Sequence, residues 1–98
     1  MASDVNDITI NFEEDGIQVV KEIDKAILSK GAWSTVMFLF RNWDKKKEDY
    51  GPEKISIRRY RKINNEYRQQ SKFNISSIDQ AQKIIENLQT WIKQAAEE

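Results

Sequence analysis

Rings and cations interleave in the middle of this chain. Phe38 and Phe40 stand two apart in one apolar run, and Lys54, Arg58, Tyr60 and Lys62 fall at even positions of the next. Side chains of an extended strand alternate between faces, so each set belongs to one side of a sheet. Aromatic faces in such a setting can stack unpaired bases, at roughly 1–3 kcal/mol per base, while cations follow the phosphates. The same residue types are enriched where two subunits bury rings and guanidiniums between them. Arg61, Arg68 and Lys72 extend the cationic set.

Other chemistries are poorly supplied. The chain has no His and no Cys, which removes the commonest general base, the commonest metal ligand and every thiolate role. Asp24, Asp44 and Asp49 form no metal-binding spacing. A non-catalytic protein with neither cofactor nor metal is expected. Ninety-eight residues make one domain, which buries only about two-thirds of its unfolded surface, so a large cleft is not expected and help from a second subunit is. The longest apolar run, Val36 to Phe40, has five residues, against roughly 20 for a membrane span. The start resembles no signal peptide, since Met1 to Asp15 carries acids and no base. The expected location is cytoplasmic, on the nucleoid in a bacterium.

A formal net charge of zero conceals a division. Residues 1–16 hold five acids and no base, whereas Arg41 to Lys72 holds eleven bases and five acids. Such asymmetry matters for polyanion binding more than the total does. A solvated basic face is the alternative meaning of the same pattern.

The elements that must carry these residues are mostly strands. Ile17 to Leu28 has β character, with a slip in alternation between Val20 and Ile23 that suggests a bend. Trp33 to Trp43 is rich in aromatic and β-branched residues. Gly51-Pro52 closes the charged stretch from Lys45, after which Glu53 to Lys62 resumes. Ile63-Asn64-Asn65-Glu66 suits a hairpin turn leading to a returning strand, Tyr67 to Ile75. Ser77-x-x-Gln80 is a capping box before Ile78, Ala81, Ile85, Leu88, Ile92 and Ala95 at helical spacing. The alternation in Ile8 to Phe12 allows a short edge strand within an otherwise acidic arm, residues 1–16.

One helix covers one sheet face. The aliphatic set Met37, Leu39, Ile55 and Ile57 matches the helix stripe, which places the core there and leaves Phe38, Phe40 and Tyr60 open with Lys54, Arg58 and Lys62. An open face of that kind is either a platform for unstacked bases or a subunit interface.

Three stretches resemble a known family, the single-stranded-DNA-binding domain of the coactivator positive cofactor four, and its short bacterial relatives most. They are Ile17 to Leu28 followed by Gly31-Ala32-Trp33-Ser34, then Lys54-Ile55-Ser56-Ile57-Arg58-Arg59-Tyr60, and Ser71-Lys72-Phe73-Asn74-Ile75-Ser76. With the helix that follows, the resemblance covers roughly residues 17–92. The resemblance implies a curved antiparallel sheet backed by a helix, a homodimer, and single-stranded nucleic acid held by rings and cations. Arg58 and Tyr60 match the family's Arg and aromatic, and Lys72 its basic residue on the following strand. Arg59 stands where relatives tend to have an acid, Phe73 where a Gly is frequent, and the Lys45–Glu53 loop is longer. The acidic start does not match the coactivator's Ser-rich arm, so no regulatory role carries over.

The expected fold is therefore α+β: a curved four-stranded antiparallel sheet over residues 17–98, closed by one amphipathic helix and paired as a homodimer. The expected ligand is single-stranded DNA, with RNA as the variant, bound without marked sequence preference by Phe38, Phe40, Lys54, Arg58, Tyr60, Arg61, Lys62, Arg68 and Lys72. The competing expectation is a structural or protein-interaction dimer that buries the aromatic face. The acidic arm is expected to be able to fold onto the basic surface and compete with a ligand.

Overall fold

The computed structural model of the protein describes residues 2–97; Met1 and Glu98, the outermost residues of the expected arm and domain, lie outside them. A 3-10 turn at Val5–Asp7 precedes strands β1 (Phe12–Glu14), β2 (Ile17–Ser29), β3 (Trp33–Asp44), β4 (Asp49–Tyr50), β5 (Lys54–Ile63) and β6 (Glu66–Ile75), and helix α1 (Ile78–Ala96) ends the chain. The strands form one antiparallel sheet in the order β1-β2-β3-β5-β6, with β4 folded back on the end of β3. Six strands replace the expected four. The two additions, β1 and β4, are three and two residues long, too short for alternation to register.

Turn chemistry explains the meander. Asp15 and Gly16 have φ of 52° and 79°, and Asn64 and Asn65 have φ of 50° and 64°. Two successive positive φ values are what a tight hairpin needs to match strand twist, and Asp, Asn and Gly tolerate them best. Register shifts interrupt β2 between Glu22 and Asp24, near the bend that the alternation suggests, and again between Ile27 and Ser29. A third lies between Arg59 and Tyr60, where β6 has the extra residue Gln70. Such bulges increase local twist and bend the bulged strand.

The face assignments hold, but the core lies on the opposite side from the one expected. Val36, Phe38, Phe40 and Tyr60 are buried together with Val5, Ile8 and Ile10 of the N-terminal segment. That segment is a strap laid across the rings. The Lys25 ammonium donates to the carbonyls of Asn6 and Ile8, each at 2.7 Å. The Glu22 carboxylate accepts from the Thr9 hydroxyl at 2.8 Å and the Ile10 N–H at 3.3 Å. The Asn11 side-chain oxygen accepts from the Glu22 N–H at 2.8 Å, and the Tyr67 N–H donates to the Ala2 carbonyl at 2.9 Å. Ile8 and Ile10 therefore cover the sheet instead of forming its edge strand, a role that β1 takes just beyond them. Burying three aliphatic side chains contributes about 1.5–3 kcal/mol each.

Helix α1 does not lie over the aliphatic face. Ser77 caps it by accepting from the Gln80 N–H at 3.0 Å, while the Gln80 amide oxygen accepts from the Ser76 N–H at 2.7 Å, one residue earlier than the expected box. It meets the sheet at β6, the edge strand, and buries none of its residues. Ile78, Ile85, Leu88, Trp91 and Ile92 are all exposed. Met37, Leu39, Ile55 and Ile57 stay half-buried, and Phe73 beside Ile57 is open. The molecule is correspondingly thin, 54 × 38 × 17 Å, with a radius of gyration of 15.9 Å, against about 13 Å for a compact domain of this length.

Candidate nucleic-acid interface

Three of the expected cations converge. On the ring side, Lys54 opposes Phe40 across β3–β5, and Lys72 opposes Arg58 across β5–β6. Beyond the strap these side chains line an open hollow of about 350 Å³, with Phe40, Asn42 and Asn74 among its other walls. The lining holds three cations and no carboxylate. Like charges directly opposite one another repel across an antiparallel pair, so an anion bound between Arg58 and Lys72 would relieve a cost built into the sheet.

Arg58 is held ready for such an anion. Its guanidinium lies 6.0 Å from the centre of the Phe38 ring, donates from Nε to the Ser56 hydroxyl at 3.2 Å, and donates from Nη1 to the Gln69 side-chain oxygen at 3.1 Å. Ser56 is itself fully buried, a fixed anchor on the floor. A planar cation positioned by a ring and two acceptors loses little freedom when it grips a phosphate. Asn74 opposes Ser56 and supplies a neutral donor and acceptor on the same wall.

The rings do not offer themselves for stacking. Phe38 is wholly buried, and Phe40 and Tyr60 are each 6% exposed. The strap closes their face, so the expected open platform is replaced by a core. For the same reason these rings cannot be a subunit interface, the competing expectation. Burial also pushes the Tyr60 phenol above its ordinary pKa, against the lowering effect of Arg58. The arm packs on the rings as part of the core, through Val5, Ile8 and Ile10, and not by pairing its acids with the basic strip.

The remaining expected residues divide. Lys62 sits at the far end of the ring side, its ammonium 5.4 Å from the Tyr67 ring centre. Arg61 and Arg68 oppose each other on the reverse face, because the bulge at Gln70 fixes which β6 residues share a side with which on β5. Conversely, a second hollow of about 440 Å³, lined in part by Trp43, Lys45 and Lys46, shares Asn42 and Lys54 with the first. It forms because β4 turns back on β3, pairing Trp43 with Tyr50, whose rings meet edge to face at 5.1 Å. The sequence signal for it was the Gly51-Pro52 breaker, which returns the lysine loop toward β5.

Among the described residues, no group of three or more His, Cys, Asp or Glu is placed to hold a metal ion, and no helix is long and apolar enough to cross a membrane. No protein-family model, no curated protein and no solved structure matches the chain.

Proposed function

We propose that the protein binds single-stranded nucleic acid without marked sequence preference, holding phosphates along the cationic groove from Lys72 and Arg58 through Lys54 to Lys45 and Lys46. The observation that carries this is the carboxylate-free hollow in which Lys54, Arg58 and Lys72 face an open volume of about 350 Å³. A space of that size accepts one phosphate group. The groove presents charge and neutral amides, with one carboxylate, Asp44, in its second hollow; Phe40 is buried and Trp43 half-buried, so affinity is chiefly electrostatic. The order of strands and helix is in keeping with the resemblance to the positive cofactor four family, whose expected stacking role the buried Tyr60 does not support.

The test is a titration of labelled oligo-dT by fluorescence anisotropy at two salt concentrations. Binding that weakens with salt is expected. The variant Lys54→Gln/Arg58→Gln/Lys72→Gln should lose it, with the log–log salt slope flatter by about two, at about 0.7 per phosphate contact. Wild-type binding absent at low salt would reject the proposal. A parallel titration with oligo-rU separates DNA from RNA preference.

The same reading includes a homodimer. Its support is an unpaired match within one chain: a half-buried aliphatic sheet face with Phe73 open beside it, and an exposed helix stripe of Ile85, Leu88 and Ile92. The surface of 7415 Å² exceeds by about 1,600 Å² that of a compact monomer of this mass. That excess is of the size each subunit buries in an obligate dimer. A two-fold arrangement would let each helix cover the other protomer's face.

A further inference from the structure

The reverse face carries a cluster that the groove does not use. Trp33 opens β3, 44% exposed, directly opposite Arg61 on β5, which in turn opposes Arg68 on β6. The next row across the sheet is Thr35, Arg59 and Ser71. The Arg59 guanidinium lies 4.6 Å from the centre of the indole and that of Arg61 5.5 Å. Two of these three arginines thus crowd one exposed ring. Among the described residues, only Arg68 of the three has an acidic partner, Glu66 at 3.7 Å.

We propose that Trp33, Arg59, Arg61 and Arg68 form a second contact site for single-stranded nucleic acid, on the face opposite the groove. The inference rests on the reading of the groove and extends it to a strand that passes from Lys72 over the β6 edge to Arg68 and Trp33. Four features favour this occupant. Two guanidiniums lie within cation–π reach of one exposed indole, and arginine's planar fork suits bidentate grips on phosphate. Arg61 and Arg68 repel across the sheet unless an anion lies between them. Arg68 to Lys72 is a single exposed run of the edge strand, about 13 Å long at 3.3 Å per residue, with a bulge at Gln70 between its ends. The apolar field of Met37, Ile57 and Phe73 begins only beyond the Thr35–Ser71 row, so the cluster is set apart as a polar patch.

The experiment compares three proteins with oligo-dT across a salt series: wild type, Arg59→Gln/Arg61→Gln, and Lys54→Gln/Arg58→Gln/Lys72→Gln. Arg59 and Arg61 are exposed, and a thermal melt checks that their variant folds. That variant should bind about tenfold more weakly, with the salt slope flatter by about 1.4, two phosphates' worth. In parallel, the indole N–H resonance of Trp33, assigned through Trp33→Phe, should shift on adding oligo-dT to wild type and stay fixed in Arg59→Gln/Arg61→Gln. Unchanged affinity and slope in that variant, while the groove variant loses binding, overturns the second site and leaves the groove standing. A changed sedimentation mass with unchanged affinity assigns the cluster to a subunit contact and also overturns it. Absence of binding by wild type removes both readings together.

Discussion

Tyr60 is a titratable group inside the core, and its burial has a pH signature. In the unfolded chain its phenol ionises near pH 10, and desolvation in the fold delays that ionisation, with Arg58 partly opposing. Below about pH 10 both states are neutral and stability is intact. As pH rises through the folded pKa the unfolded chain has already released its proton, so stability is lost. Urea midpoints measured from pH 8.5 to 11.5 should therefore fall for wild type and fall less steeply for Tyr60→Phe. Superimposable curves would show that Tyr60 is not the group responsible. Ile8 offers a complementary probe, because at 3% exposure it is the strap's most buried residue. Ile8→Ala should cost about 2–5 kcal/mol by leaving a cavity above the rings, read as a lower urea midpoint with an unchanged slope.

At the scale of elements, the strap and its hairpin act as one device. The Asp15-Gly16 turn returns β1 along β2, and the strap then reaches back over the rings from β1's start. At Gly16 an added Cβ meets nothing within 4 Å, so the φ of 79° is the whole constraint. Gly16→Ala should cost about 1 kcal/mol through backbone strain alone, visible as a fall of a few degrees in the melting temperature. The same reasoning shows what could be read from residue order. The four long strands, the Asn64-Asn65 turn and the Ser77 cap each have a local cause, and so could be located without coordinates. Which face is covered had no local cause. Val5, Ile8 and Ile10 sit in an acidic stretch where Ile8, Ile10 and Phe12 alternate as an edge strand would, and only tertiary contact shows that they are a lid on Phe38 and Phe40. For the site, alternation along β5 places Lys54 and Arg58 on one side and Arg61 on the other, whereas Lys72 comes from the resemblance and the side of Arg68 depends on the bulge at Gln70.

The whole molecule has two apolar layers with different dependences. The ring core is closed within one chain by the strap, so its stability is independent of concentration. Among the described residues no layer covers the aliphatic face, and α1 touches the sheet at the β6 edge and buries none of its residues, so it draws little stability from tertiary packing. In the proposed homodimer its order comes from association, which makes it subject to mass action. Dilution from about 100 µM to 1 µM should lower the melting temperature and reduce the helical signal in far-UV circular dichroism. Leu88→Glu places a charge in the middle of the exposed stripe. It should give a monomer by sedimentation equilibrium, with helix lost but β signal retained, because the strap and rings still close their own layer. That variant should also bind oligo-dT with a salt slope about half that of the dimer, since each protomer brings one groove and counterion release scales with the number of phosphates neutralised. A Leu88→Glu protein that stays dimeric would place the subunit contact away from α1. One that loses its sheet along with its helix would show that the aliphatic face, not the strap, is the layer on which the fold depends.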